Sequence, residues 1–290
     1  MAKSTNKWLV STEWLAAHLE APDLVVLDAS WHLPPEKRNA KDEYAKEHVP
    51  GALFFDIDEI ADTDSGLPHM LPTAAKFSSR MRKMGIGDGS RIVVYDTKGL
   101  FSAARVWWMF RVMGKDDVAV LDGGFPKWKA EGRPIEDVPP MPRSEKHFTV
   151  RANAGLIRDM DDVKAILKSG SAQLVDARPA GRFEGRDAEP RPGLRLGHIP
   201  GARNVPFSEL VQPDGTMKSS EDIARVFTAA GLDLSKPVVA SCGSGVTAAL
   251  LALGLAGLDY QDTAVYDGSW AEWGREDGGP VETGKVRGQE

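Results

Sequence analysis

The sequence predicts an α/β protein made of two copies of one unit, each a parallel sheet covered by helices on both faces. Three observations carry this: β-branched runs alternate with longer helical patterns, local signatures recur in order, and a proline-rich stretch lies between the copies. Apolar strands separated by helices imply a parallel sheet buried on both sides. In the second copy the expected strands are QLVDA (173–177), ARNVPF (202–207), PVVAS (237–241) and TAVYD (263–267). Helices are expected at about 159–168, 220–231 and 246–257.

The recurrence is specific. Asp28 of LVVLDAS answers Asp176 of QLVDAR (176 − 28 = 148). His48 of HVPGA answers His198 of HIPGA (198 − 48 = 150), and Asp122 of VLDGGFPKW answers Asp267 of VYDGSWAEW (267 − 122 = 145). Order and spacing are kept together, as in a duplicated unit. Between the copies, GRPIEDVPPMPRSEK carries Pro134, Pro139, Pro140 and Pro142, which forbid regular helix and favour an extended connector. The expected organisation is an N-terminal domain over 8–131, a linker over 132–146, a C-terminal domain over 147–276 and a tail over 277–290.

Composition excludes several function classes. Hydrophobic residues make up 42% and charged residues 27%, so a packed core is expected rather than disorder. The formal net charge of −6 offers no basic field for a nucleic-acid backbone. The most apolar run, Val246 to Leu258, falls short of the roughly 20 residues a membrane helix needs, so no membrane partner is expected. The amino terminus lacks a basic-then-apolar export pattern, which with a single cysteine makes the cytoplasm the expected compartment. That cysteine, Cys242, has no internal partner for a disulfide or a multi-cysteine zinc site. If its thiol reacts, the partner is another molecule.

Cys242 stands where chemistry is expected. The strand PVVAS runs into Cys242-Gly-Ser-Gly-Val-Thr247 before the apolar helix begins. Ligands of α/β sheets bind beyond the carboxyl ends of strands, where a helix start adds unpaired N–H groups and positive dipole. Gly243 and Gly245 allow the backbone to curl its amides toward one sulfur, an arrangement that favours thiolate and would hold a persulfide anion. The bland alternative is a small buried hydrophobe, and the strand–loop–helix context argues against it.

CGSGVT, HVPGA, HIPGA, DGGFPKW and DGSWAEW together resemble the two-domain rhodanese family of sulfurtransferases, and the loop is similar to that of its mercaptopyruvate branch. The likeness runs from about Trp8 to Trp273. It implies two tandem rhodanese-like domains of which only the second is active, and Asp96 indeed stands where the second copy has Cys242 (242 − 96 = 146). It implies a persulfide on Cys242, with the loop residues Gly243, Gly245, Val246 and Thr247 lining the substrate. GRF and EPR match the family's substrate-binding arginines at Arg182 and Arg191, whose planar guanidiniums suit a carboxylate beside a carbonyl. FFDID and DTDSGLPHMLP match segments that supply an acid and an imidazole, giving an expected Asp58–His69–Ser244 relay. No metal or organic cofactor is implied. The implied partners are a small-molecule sulfur donor and an acceptor such as cyanide, a thiol or a reduced thioredoxin.

The remaining arginines and histidines of these segments have structural readings. Arg178, Arg186 and Arg195 read as solvated or ion-paired loop residues, and His48 and His198 as turn residues that bond the backbone. Neutral Gly243 and Ser244 make thiosulfate, a compact dianion, the weaker donor. A cysteine phosphatase would need an arginine closing the loop where Thr247 and Ala248 stand. A rhodanese-like binding module would need no reactive thiol.

Overall fold

The computed structural model describes residues 6–285 as two compact units, each holding one sheet of five parallel strands. In the first unit the strands are β1 (Leu9–Val10), β2 (Leu24–Asp28), β3 (Leu53–Phe54), β4 (Arg91–Tyr95) and β5 (Val118–Leu121), in the order β1-β5-β4-β2-β3. In the second they are β6 (Ile157–Arg158), β7 (Gln173–Asp176), β8 (Arg203–Asn204), β9 (Val238–Ser241) and β10 (Thr263–Tyr266), in the order β6-β10-β9-β7-β8. The two orders are the same permutation, so the duplication visible in the motifs extends to topology. Every residue of β2, β5, β9 and β10 is buried, as a sheet covered on both faces requires.

The helices follow from their sequences. Met160–Ser169 opens with a capping box, in which Asp159 and Asp162 satisfy each other's backbone amides, and closes on Gly170 at φ 66°. Its apolar face, Val163 and Ile166, packs into a core with Leu174, Phe183, Tyr266, Trp270 and Trp273. Ala248–Ala256 is apolar all round and all nine of its residues are buried. No helix among the described residues is long and apolar enough to cross a membrane.

Two expectations shift in detail. ARNVPF contributes only Arg203–Asn204 to the sheet, as the edge strand, because Pro206 lacks the N–H a ladder needs. The apolar helix begins at Ala248 rather than Val246, since Gly245 at φ 76° turns the chain before it.

The units are not cut at one point of the sequence. Thr63–Leu71 belongs to the second unit and Pro213–Met217 to the first. Each strap is clasped by the aspartate of a DG signature. Asp267 accepts the amide of Leu71 at 2.7 Å in the second unit, and Asp122 accepts that of Met217 at 2.8 Å in the first. The repeat also extends past the motifs: His48 bridges Glu136 as His198 bridges Glu282, and the Trp128 and Trp273 indoles donate to the Pro134 and Pro280 carbonyls.

Candidate active site

Cys242 follows β9, the central strand of the second sheet, and its side chain is buried at the carboxyl edge. The loop that carries it is pinned from the DGSW segment. The carbonyls of Cys242 and Gly243 accept the amides of Trp270 and Ala271 at 2.9 and 2.8 Å. The amides of Cys242 and Gly245 both donate to the Ser269 hydroxyl, at 3.2 and 3.1 Å, and that hydroxyl donates to the Tyr266 carbonyl at 2.7 Å. The inward curl expected of the loop is thereby modified. Two of its amides serve Ser269 and hold the loop's shape instead of pointing at the sulfur. Val246 and Thr247 are buried, and the Thr247 carbonyl receives the amides of Leu250 and Leu251.

The glycines of the loop have different reasons. Gly245 needs the left-handed backbone, but Gly243 does not. A Cβ on Gly243 would lie 3.1 Å from Arg182 Nη2 and 3.8 Å from Arg191 Nη1. Both guanidiniums therefore face the loop one residue from the sulfur, and Gly243 is there to leave them room.

The other arginines separate cleanly. Arg186 is exposed and pairs with Glu184, while Arg195 donates to the carbonyls of Trp273 and Gly279 at 2.9 and 2.7 Å and ties the chain's last described segment. Arg178 is ion-paired but far from solvated, at 1% exposure. It is gripped by Asp176, Glu189 and the Gly197 carbonyl and lies over the Trp270 ring at 4.3 Å. Burial works against its charge, and the two carboxylates overcome that and hold it protonated.

Ser244 and His69 meet. The Ser244 Oγ lies 2.9 Å from His69 Nδ1, and both side chains are buried. His69 adopts φ 61°, a left-handed backbone uncommon for histidine, on the strap that Asp267 clasps. Asp58 lies in the first turn of the Ile57–Ile60 helix of the first unit, where its carboxylate accepts the Trp31 indole N–H at 3.1 Å. His48 and His198 each place Nδ1 2.8 Å from a backbone carbonyl, of Tyr44 and Phe183 respectively.

The chain carrying this site is similar to known proteins over nearly its whole length. The family model described as Rhodanese-like domain matches residues 11–131 and again 159–276. The chain belongs to the rhodanese family. It is 42% identical over 280 residues to the 3-mercaptopyruvate sulfurtransferase of Escherichia coli K12, covering 96% of this chain and 99% of that one. It is 44% identical over 271 residues to the human 3-mercaptopyruvate sulfurtransferase, covering 91% of each. The crystal structure of SseA from Escherichia coli, described as a 3-mercaptopyruvate sulfotransferase with the rhodanese fold, superposes with a TM-score of 0.83 at 40% identity, over 91% of this chain and 99% of that one.

Three of the differences between the two rhodanese copies bear on the loop. Asp96 replaces Cys242, and its side chain accepts the amides of Lys98, Phe101 and Ala103 at 2.8–2.9 Å, so the first loop is closed on its own side chain. Gly124 at φ 54° replaces Ser269 at φ 49°. Ser30 replaces Arg178, which leaves the buried Asp28 without the cation that Asp176 enjoys, and burial raises the Asp28 carboxyl to about 6. Ser269, Glu189 and Asp176 were not among the residues the sequence nominated. Ser269 and Asp176 were in reach, because each sits in a recurring signature that differs between copies. Glu189 lies between the QLVDAR and HIPGA signatures, in a stretch that shares no motif with its counterpart in the first copy.

Proposed function

We propose that this rhodanese is a 3-mercaptopyruvate sulfurtransferase that carries sulfur as a persulfide on Cys242. The observation that carries the reading is the pair Arg182 and Arg191 turned toward a neutral, side-chain-free Gly243 beside the chain's only thiol. The relatives named above carry that activity in their names, which supports it. The C-terminal rhodanese-like copy, read from the sequence as 147–276, is the catalytic domain. The first, 8–131, is inactive because it holds Asp96 where a thiol is required.

In the reaction, the Cys242 thiolate attacks the donor sulfur and forms the S–S bond. The carbon–sulfur bond breaks, and its electron pair passes into the enolate of pyruvate, whose oxygen and carboxylate lie with Arg182 and Arg191. The proton released from the donor thiol balances the one that carbon gains to give pyruvate. The movement of that proton is assigned to Ser244 and His69, whose side chains meet. An acceptor then attacks the outer sulfur of the persulfide and restores the thiolate. Cyanide, a small thiol or a reduced thioredoxin fits that role, and the cytoplasm is the proposed compartment.

The test compares 3-mercaptopyruvate and thiosulfate at equal concentration with cyanide as acceptor. Faster turnover with 3-mercaptopyruvate is expected, and faster turnover with thiosulfate overturns the assignment. Mass spectrometry after donor treatment without acceptor should find the protein one sulfur atom heavier at Cys242, and Cys242→Ser should abolish both signals.

A further inference from the structure

The site holds an acid that the reaction above does not use. The Glu189 side chain is 3% exposed and stands between two arginines. Its Oε1 accepts Arg178 Nη1 at 2.7 Å, and its Oε2 accepts both Nε and Nη2 of Arg182. We propose that Glu189 is a positioning and specificity-determining residue, which aims the Arg182 fork at the Cys242 loop and lowers its charge so that the site takes a monocarboxylate donor over a compact dianion.

The aim follows from the chain of contacts. Asp176 ends β7, next to β9 in the sheet, and grips Arg178 through Nε and Nη2. Arg178 is further fixed by the Gly197 carbonyl and the Trp270 ring, so the Glu189 carboxylate it holds has a set position. That carboxylate takes one edge of Arg182, the edge made by Nε and Nη2. The guanidinium plane is then fixed, and Nη2 is the atom that comes nearest a Cβ placed on Gly243. A sheet residue thus dictates, through three side chains, where a donor carboxylate would find its hydrogen-bond partner.

The charge argument is separate. Asp176, Arg178, Glu189 and Arg182 sum to no formal charge, so Arg182 offers directed N–H groups with its positive charge largely offset by Glu189. Coulomb attraction scales with the ligand's charge, so restoring a full positive charge here would favour thiosulfate, a dianion, about twice as strongly as a monoanion. Glu189 holds that advantage down.

The inference rests on the donor assignment above. The wild-type donor comparison tests that assignment, while the change in donor ratio between wild type and variants tests Glu189, whichever donor is faster. Glu189→Gln removes the charge and keeps one acceptor oxygen. We expect its ratio of kcat/KM for thiosulfate to that for 3-mercaptopyruvate to rise on the order of tenfold, mainly through a lower KM for thiosulfate. Glu189→Asp keeps the charge on a shorter arm that cannot reach both arginines. Its donor ratio should stay at the wild-type value, while kcat with 3-mercaptopyruvate falls several-fold because the fork is misaimed. Thermal unfolding and stoichiometric alkylation of Cys242 confirm that each variant is folded. An unchanged ratio in Glu189→Gln, or equal losses on both donors in both variants, overturns the proposal. If Glu189→Gln does not fold, a ratio that moves in Glu189→Asp also overturns it.

Discussion

The Ser269 hydroxyl accepts the backbone amide of Cys242 at 3.2 Å, from a serine held at φ 49° with no exposed surface. The same oxygen takes the Gly245 amide, so one side chain sets both ends of the turn that presents the sulfur. Ser269→Gly keeps the backbone angle comfortable, as Gly124 does in the first unit, and removes the hydroxyl together with its Cβ. Two buried amides lose their acceptor, at roughly 1–3 kcal/mol each before water or rearrangement compensates. The expected result is a lower unfolding temperature and about tenfold slower persulfide formation, read by stopped-flow with 3-mercaptopyruvate. Ser269→Ala should be less stable still, because it adds a Cβ at positive φ without the bond.

His69 touches Ser244 and holds a left-handed backbone angle. Asparagine tolerates that angle better than most residues, so His69→Asn separates the imidazole from the strap's conformation. If the imidazole moves a proton, kcat for pyruvate release should fall on the order of 10²-fold or more while KM changes little. Lactate dehydrogenase-coupled detection of pyruvate reads the effect. A KM-only change would assign His69 to binding.

Gly243 leaves space for two guanidiniums, and one of them is held fast by Glu189. Gly243→Ala places a methyl 3.1 Å from Arg182 Nη2, closer than a comfortable contact. Relief requires Arg182 Nη2 to give by a few tenths of an ångström, which disturbs its aim against the Glu189 carboxylate. The KM for 3-mercaptopyruvate should rise several-fold or more, with the thermal midpoint nearly unchanged if the arginine rather than the loop gives way.

Asp28 makes the first unit pH-sensitive in a defined direction. Its carboxyl is raised from 3.8 to about 6 by burial, so between those values the folded chain binds a proton that the unfolded chain does not. Its contribution to stability is therefore fully present below about 3.8 and is lost as pH rises through about 6. Between pH 7 and 5 this one group should add about 1.4 kcal/mol. Denaturant melts of wild type and Asp28→Asn at both values test it: the wild type should gain on the variant in acid, and parallel curves would remove Asp28 as the cause.

The fold could be read from the sequence because duplication doubles the evidence. LVVLDAS and QLVDAR mark the same strand twice, and the sheets repeat one permutation. Cys242, Arg182 and Arg191 were nominated from local motifs, and the structure places both guanidiniums by the cysteine's loop. What escaped was what holds them there. Arg178 resembles its charged neighbours in a loop of five arginines, and only tertiary burial beside Asp176 and Trp270 distinguishes it. Glu189 and Ser269 act through geometry between segments distant in sequence, which period and propensity do not encode. The helix start moved by two residues because a glycine in the left-handed region belongs to the turn, whatever the apolar run beside it suggests.

The membership of Thr63–Leu71 in the second unit has a bearing on how such a chain could be divided. A polypeptide beginning at Ala154 would retain Cys242, Arg182 and Arg191 yet lack the imidazole that meets Ser244, because His69 precedes Asp96 in the sequence. On the proposed mechanism, a chain cut between the two copies is therefore expected to lack the proton carrier that Ser244 meets.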